Sequence, residues 1–233
     1  MTPSAALAVS LFLVGDAVVG GANDLRFGFE AWRCGDALRS TWTTPDGRLV
    51  AAEKLDLEGE RWVRYRLQRV PVAQEVLAER KGGEVTITIR NGDNSRRVTL
   101  RAARDLLAGP TLVSHLGAVA PSLALQQPIE FDYLIAEQGL VLRLRAVATS
   151  RRVDGATTIK LEAASILFRP FVPATTLEFD SHGNLSLLSG RLLPQFGDVT
   201  KPKSLDGVLR LRPGEPQSSF ARMQSVCNKT GLA

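Results

Sequence analysis

Soft metal ligands are scarce in this chain: 233 residues hold two cysteines and two histidines. That is too few for a zinc framework, so no metal site is expected. Aromatic residues make up only 6%, which leaves little for stacking bases. The cations, most of them arginine, are spread along the chain instead of forming one block. A net charge of +5 therefore reads as a solvated outer face, with a lipid head-group surface as the second option and nucleic acid excluded. No uncharged apolar run of about 18 residues follows the first two dozen positions, so a polytopic helical membrane protein is excluded. Missing too are a G-x-S-x-G elbow, an H-E-x-x-H pair, a Walker loop and a G-x-G-x-x-G after a strand. No catalytic residue and no cofactor is expected. What remains is an ordinary globular balance, 44% apolar and 23% charged, at a length suited to one large domain or two small ones.

The amino terminus carries a short apolar stretch, Ala5 to Val14, of the length of an export-signal core. Gly20 and Ala22 supply small residues for a cleavage site, so residues 1–22 are expected to be a signal peptide. No cation precedes the stretch and Asp16 interrupts the apolar character just after it, which leaves open a buried first helix or strand instead. Export implies a soluble periplasmic protein. Cys34 and Cys227 would then form a disulfide, since two cysteines without a thiol motif pair in an oxidising compartment. Closing so long a loop is worth about 4–5 kcal/mol by loop entropy.

The body of the chain alternates with period two. Val63, Tyr65 and Leu67 oppose Arg64, Arg66 and Gln68, and Val85, Ile87 and Ile89 oppose Thr86, Thr88 and Arg90. Ile129, Phe131, Tyr133 and Ile135 alternate with Glu130 and Asp132; Leu140, Leu142 and Leu144 alternate with Arg143 and Arg145. Each such strand has one buried and one wet face, the mark of an antiparallel sheet. Pro45-Asp46-Gly47 and Ser181-His182-Gly183-Asn184 supply hairpin turns. Glu130 and Asp132 are expected to face Arg143 across the ladder rather than to act as an acid–base pair. His115 reads as a core or rim histidine and His182 as a solvated turn residue.

One helical region is expected over 102–120, broken at Gly109-Pro110. From Pro194 onward the prolines predict an irregular tail, with only Val208 to Arg212 strand-like. The domain plan is thus a signal over 1–22, a β domain over 23–193 and a packed tail over 194–233. Eight to ten strands at about 4.8 Å spacing make a sheet roughly 40–48 Å wide, far more than one helix can cover. The apolar face must therefore curl on itself, giving a mainly β fold, a barrel or half-barrel with the broken helical segment over one opening.

The helical stretch opening Leu107-Ala108-Gly109-Pro110-Thr111, and the pattern Thr44-Pro45-Asp46-Gly47-Arg48-Leu49-Val50 running into a strand, resemble periplasmic half-barrels related to the lipoprotein carriers LolA and LolB. The resemblance spans about Phe27 to Leu193, and uncharacterised proteins of that architecture are nearest in pattern. It implies an envelope protein that binds acyl chains or a protein partner, and it carries over no site residue.

The inward stripe gives the candidate ligand-lining residues: Val63, Tyr65, Leu67, Ile87, Phe131, Tyr133 and Leu142, with Leu112 and Leu116 from the helix. The first reading is a non-catalytic envelope protein holding a lipid or other amphiphile inside the curved sheet. The alternative is a structural or adaptor protein of the envelope with a filled core, acting through its basic surface or its edge strands, with an envelope protein as its partner. A hydrolytic enzyme without a recognisable motif ranks third.

Overall fold

The structure is a computed structural model that describes residues 9–20, 25–169, 172–198 and 201–213. These residues form fifteen strands in one sheet, not the expected eight to ten. The first eight are β1 (Val9–Val19), β2 (Arg26–Cys34), β3 (Ala37–Thr43), β4 (Leu49–Glu58), β5 (Arg61–Arg69), β6 (Gln74–Lys81), β7 (Glu84–Asn91) and β8 (Asn94–Arg101). A two-residue strand β9 (Leu107–Ala108) and helix α1 (Thr111–Val119) follow. The chain continues through β10 (Pro128–Ile135), β11 (Leu140–Arg151), β12 (Thr157–Ala163), β13 (Thr175–Phe179), β14 (Leu185–Asp198) and β15 (Lys201–Arg212).

Strand order is β8 to β1, then β15 down to β9. Neighbours are antiparallel except β9, which lies parallel to β10. The chain thus leaves the middle of the sheet at β1, walks to one edge at β8, crosses to the other edge at β9 and walks back. The two edges never pair, so the sheet is rolled but not closed. Edge β9–β10 tucks against the inner face of β5–β7: Leu106, Ala108, Leu134 and Ala136 share a buried cluster with Trp62, Leu67, Ile87 and Ile89. Trp62 Nε1 donates to the Leu106 carbonyl at 2.7 Å, and the Arg80 guanidinium donates to the carbonyls of Ala103 and Arg104. A second cluster packs α1 against β10–β14, with Leu116, Phe131, Leu142, Ile159 and Phe179 at its centre. There Gly117 and Gly183 meet backbone to backbone, and a Cβ on either would overlap the other's carbonyl oxygen. The third cluster joins β1–β4 to β14 and β15 through Ala17, Phe27, Trp42, Leu192 and Leu209.

Several expectations need correction. The helical stretch is helical only over Thr111–Val119; Leu107 and Ala108 pair with Tyr133 and Leu134 instead, and Gly109 takes a left-handed φ of +45°. Pairing with β10 and burial against β5 outweigh the helical spacing of so short a segment. Val63 does not continue the inward stripe. Leu57 pairs with Trp62 while Asp56 pairs with Arg64, so Val63 is the extra residue of a β-bulge and Trp62 takes the inward place. The expected irregular tail is strand as far as Arg212. Pro194 falls inside the register slip between Arg191 and Gln195, where no ladder donor is needed, and Pro202 sits at the start of β15. Arg143 does face Glu130 and Asp132, at 3.1 and 3.8 Å.

The apolar stretch expected to be a leader enters the sheet at Val9, where β1 pairs with β2 on one side and β15 on the other. Ala17 is completely buried and Asp16 points outward. Cys34 ends β2; Cys227 lies outside the described residues, as do residues 1–8 and 21–24. A chain beginning at Asn23 would lack β1 and expose the edges of β2 and β15 to solvent. Its expected outcome is loss of the cooperative thermal transition that the longer chain shows by circular dichroism; an unchanged transition would mean that β1 is dispensable.

Candidate functional site

Rolling the sheet leaves a cavity of about 1100 Å³ on its concave side. Most of its wall is apolar and comes from the inward positions of β10–β15, among them Tyr133, Leu142, Leu144, Leu161, Leu177 and Leu209. Leu112 and Val113 of α1 and Phe168 of the β12–β13 connection complete that side. Phe29 and Trp42, ring centroids 4.9 Å apart, face them from β2 and β3.

Set into this wall is a polar patch. Alternation places Ala51, Glu53 and Leu55 on the inner face of β4, so one carboxylate lies in an otherwise apolar stripe. Ser40, its direct partner on β3, donates to Glu53 Oε2 at 2.9 Å, and the Tyr65 hydroxyl donates to Oε1 at 2.6 Å. Arg69, on the same face of β5 as Tyr65, is 3% exposed. Its three nitrogens donate to the Leu193 carbonyl, Gln74 Oε1 and Glu137 Oε1. Gln74 in turn donates to Asn91 Oδ1 at 2.8 Å. Glu53, Tyr65, Arg69, Tyr133 and Glu137 all line the cavity. Gly109 closes against the Tyr65 ring, where any side chain would overlap it.

Burial governs the acid–base state of the patch. Enclosure by protein raises the Glu53 carboxyl above the ordinary glutamate value, against the lowering pull of Tyr65, Ser40 and Arg69. Glu53 is nevertheless not fully buried by accessible surface, so the part of it that remains accessible faces the cavity. Burial and then the Glu53 charge push Tyr65 well up, and burial pushes Tyr133 up likewise. Both phenols are therefore neutral hydrogen-bond donors across physiological pH.

The candidate lining residues divide into three groups. Tyr65, Tyr133, Leu142 and Leu112 line the cavity. Leu67 and Ile87 are buried under the β9–β10 edge, and Phe131 and Leu116 in the cluster around α1. Val63 is half-buried at its bulge, outside the wall. Ser40, Glu53, Arg69 and Glu137 were not among the candidates. His115 sits edge-on to Phe131 at 5.4 Å, its basicity lowered by burial, and His182 occupies the β13–β14 turn. Among the described residues no three His, Cys, Asp or Glu side chains gather as a metal site, and no helix is long and apolar enough to cross a membrane.

A rolled, unclosed sheet around an interior cavity defines a β-barrel-like protein. Among solved structures the chain is similar to the β-barrel-like protein of a domain of unknown function, DUF1849, from Brucella abortus. The TM-score is 0.51 at 10% identity, covering 90% of this chain and 100% of that one, which is a likeness of fold. No family model and no curated protein matches the sequence.

The raised Glu53 value has a consequence for stability. A carboxyl that holds its proton more tightly when folded adds stability below its unfolded value, about 4.3 for glutamate. That contribution is lost as pH rises through the higher folded value. Wild type should therefore lose stability relative to Glu53→Gln as pH rises from about 4.3, measured by paired urea titrations. A constant difference between the two across that range would show that Glu53 stays ionised when buried.

Proposed function

We propose that this protein is a non-catalytic binder of an amphiphile, held with its apolar portion along the leucine-rich wall and its polar end at the Glu53 patch. One observation carries the reading: a cavity of about 1100 Å³ in a sheet whose other inward surfaces are closely covered. Interiors normally pack without such voids, and small-molecule pockets run to roughly 300–1,000 Å³. An apolar wall with a few convergent polar groups is the usual composition of such a pocket. We place the protein in the bacterial periplasm, where Cys34 and Cys227 would be oxidised to a disulfide and where half-barrels related to LolA and LolB handle acylated cargo. That relation is one of architecture.

A membrane surface is the proposed partner. Ile166, Leu167 and Phe168 are 73%, 77% and 50% exposed in the β12–β13 connection, and Phe168 also lines the cavity. Three consecutive exposed large apolar residues are uncommon on a soluble surface. Arg169 follows them directly and Lys160 lies close by on β12, two cations that share the single carboxylate of Glu162. Apolar side chains beside a net positive charge suit an anionic bilayer. Leu167→Glu should weaken co-sedimentation with phosphatidylglycerol vesicles while leaving the fold intact; equal sedimentation would remove this surface from the reading.

An apolar fluorescent probe should bind the native protein saturably and be displaced by a long acyl chain. Leu142→Trp would fill the cavity and weaken that binding with little loss of stability. In a filled core the same change would overpack and cost about 1–3 kcal/mol. No saturable binding together with strong destabilisation would favour the filled-core adaptor reading.

A further inference from the structure

The chemistry of the polar patch restricts the head group. Two carboxylates, Glu53 and Glu137, and one cation, Arg69, face the inner end of the cavity. The Arg69 charge is balanced by Glu137 at 3.2 Å, and three of its five N–H groups are bonded to Leu193, Gln74 and Glu137. Further charged side chains on the wall are committed elsewhere. Arg143 pairs with Glu130 and Asp132, Arg191 with Asp206, and Glu162 with Lys160 and Arg169; Arg39 alternates to the face of β3 opposite Ser40, away from Glu53. Each Glu53 oxygen accepts one bond, from Tyr65 or Ser40, and each keeps capacity for a second. With Glu53 ionised the patch holds two carboxylates against one guanidinium, a surplus of negative charge; with Glu53 protonated that surplus is gone and its O–H joins the Tyr133 phenol as a donor. In neither state does it offer an uncommitted cation.

We infer, resting on the binding function proposed above, that the cavity selects an amphiphile whose head group donates hydrogen bonds and carries no negative charge, a long-chain alcohol or amine, seated against Glu53. A carboxylate or phosphate head would approach two carboxylates and a single guanidinium whose charge Glu137 already balances, and the low effective dielectric of the enclosure strengthens the net repulsion when Glu53 is ionised. A hydroxyl or ammonium gives a proton to the open acceptor sites of Glu53. Chain length is set by the leucine wall and head-group chemistry by this patch, so the two can be varied separately.

The test is displacement of an apolar fluorescent probe from the whole protein by dodecanol, dodecylamine and dodecanoate below their micelle concentrations. At about pH 8 the amine is protonated and the acid ionised. Alcohol and amine should displace the probe at concentrations at least about tenfold below dodecanoate. Glu53→Gln, which keeps the size of the side chain, should weaken the amine about tenfold, change the alcohol little and improve dodecanoate. Unchanged affinity for the probe itself shows that the variant cavity is intact, and the wild-type series decides the inference even if the variant fails to fold. Dodecanoate displacing as well as the other two would overturn the head-group assignment and leave the binding function standing. An amine unaffected by Glu53→Gln would overturn the role of Glu53. Absence of any saturable probe binding to wild type would overturn the binding function itself.

Discussion

The two edges of the sheet are consecutive in the chain, and that fixes the shape of the molecule. Fourteen spacings of about 4.8 Å would hold β8 and β9 about 67 Å apart in a flat sheet. The link between Arg101 and Leu107 can span only about 20 Å even when extended. The sheet has to roll until its edges meet. They meet by overlap instead of by pairing, since β9–β10 slides under β5–β7 and is fastened by Trp62, Arg80 and the buried contacts of Leu134 and Ala136. Overlap leaves β8 as the outer edge, and its arginines at 96, 97 and 101 are exposed there, which discourages further strand addition. The cavity is the geometric remainder: the concave area that neither the tucked edge nor α1 covers.

Alternation was readable wherever a strand keeps one wet face. Arg143 is exposed and Arg64 half-buried while Tyr65, Leu142 and Leu144 are buried, as the period-two pattern requires. It became misleading where tertiary packing adds a second dry face. On β10 the outward positions run Glu130, Asp132, then Leu134, and the change from charged to apolar marks where the strand passes under β5. Ala102 to Leu107 carries apolar residues at helical spacing, yet Leu106 is claimed by Trp62 and Leu107 by pairing with β10. The bulge at Val63 and the register slip across Pro194 are single-residue events, and periodicity over a window averages them away. The likeness to a β-barrel-like protein at 10% identity fits that picture, since topology survives when local sequence signals do not.

The site was half legible for a related reason. Leucines and tyrosines on an inward stripe point to an interior, but not to which part of it stays open. Tyr65 and Leu67 sit two residues apart on one strand, and only Tyr65 reaches the cavity because β9–β10 covers Leu67. The polar patch did have a sequence signal. Glu53 lies in step with Ala51 and Leu55, and Arg69 in step with Leu67, so each places a charge on an otherwise apolar stripe. Such a placement costs desolvation and calls for a reason.

For Arg69 the reason is architectural. Its bonds join β5 to β6, to the bulged segment of β14 and to the turn after β10, elements that no ladder connects to one another apart from β5 and β6. A buried guanidinium with all three nitrogens engaged is a tie between parts of the roll that would otherwise touch only through side-chain packing. Glu53 has no such reach. Its partners Ser40 and Tyr65 lie on β3 and β5, the two strands already paired with β4, so its hydrogen bonds connect nothing that the backbone has not connected. Buried polar groups can often be replaced by apolar ones of similar volume without loss of stability, and at this position the fold gives no ground for keeping the carboxyl. Burial disfavours its charged form and raises the proton affinity of the acid. A group that the architecture does not need, set at the edge of an apolar cavity with acceptor capacity unused, is what the proposed ligand would account for.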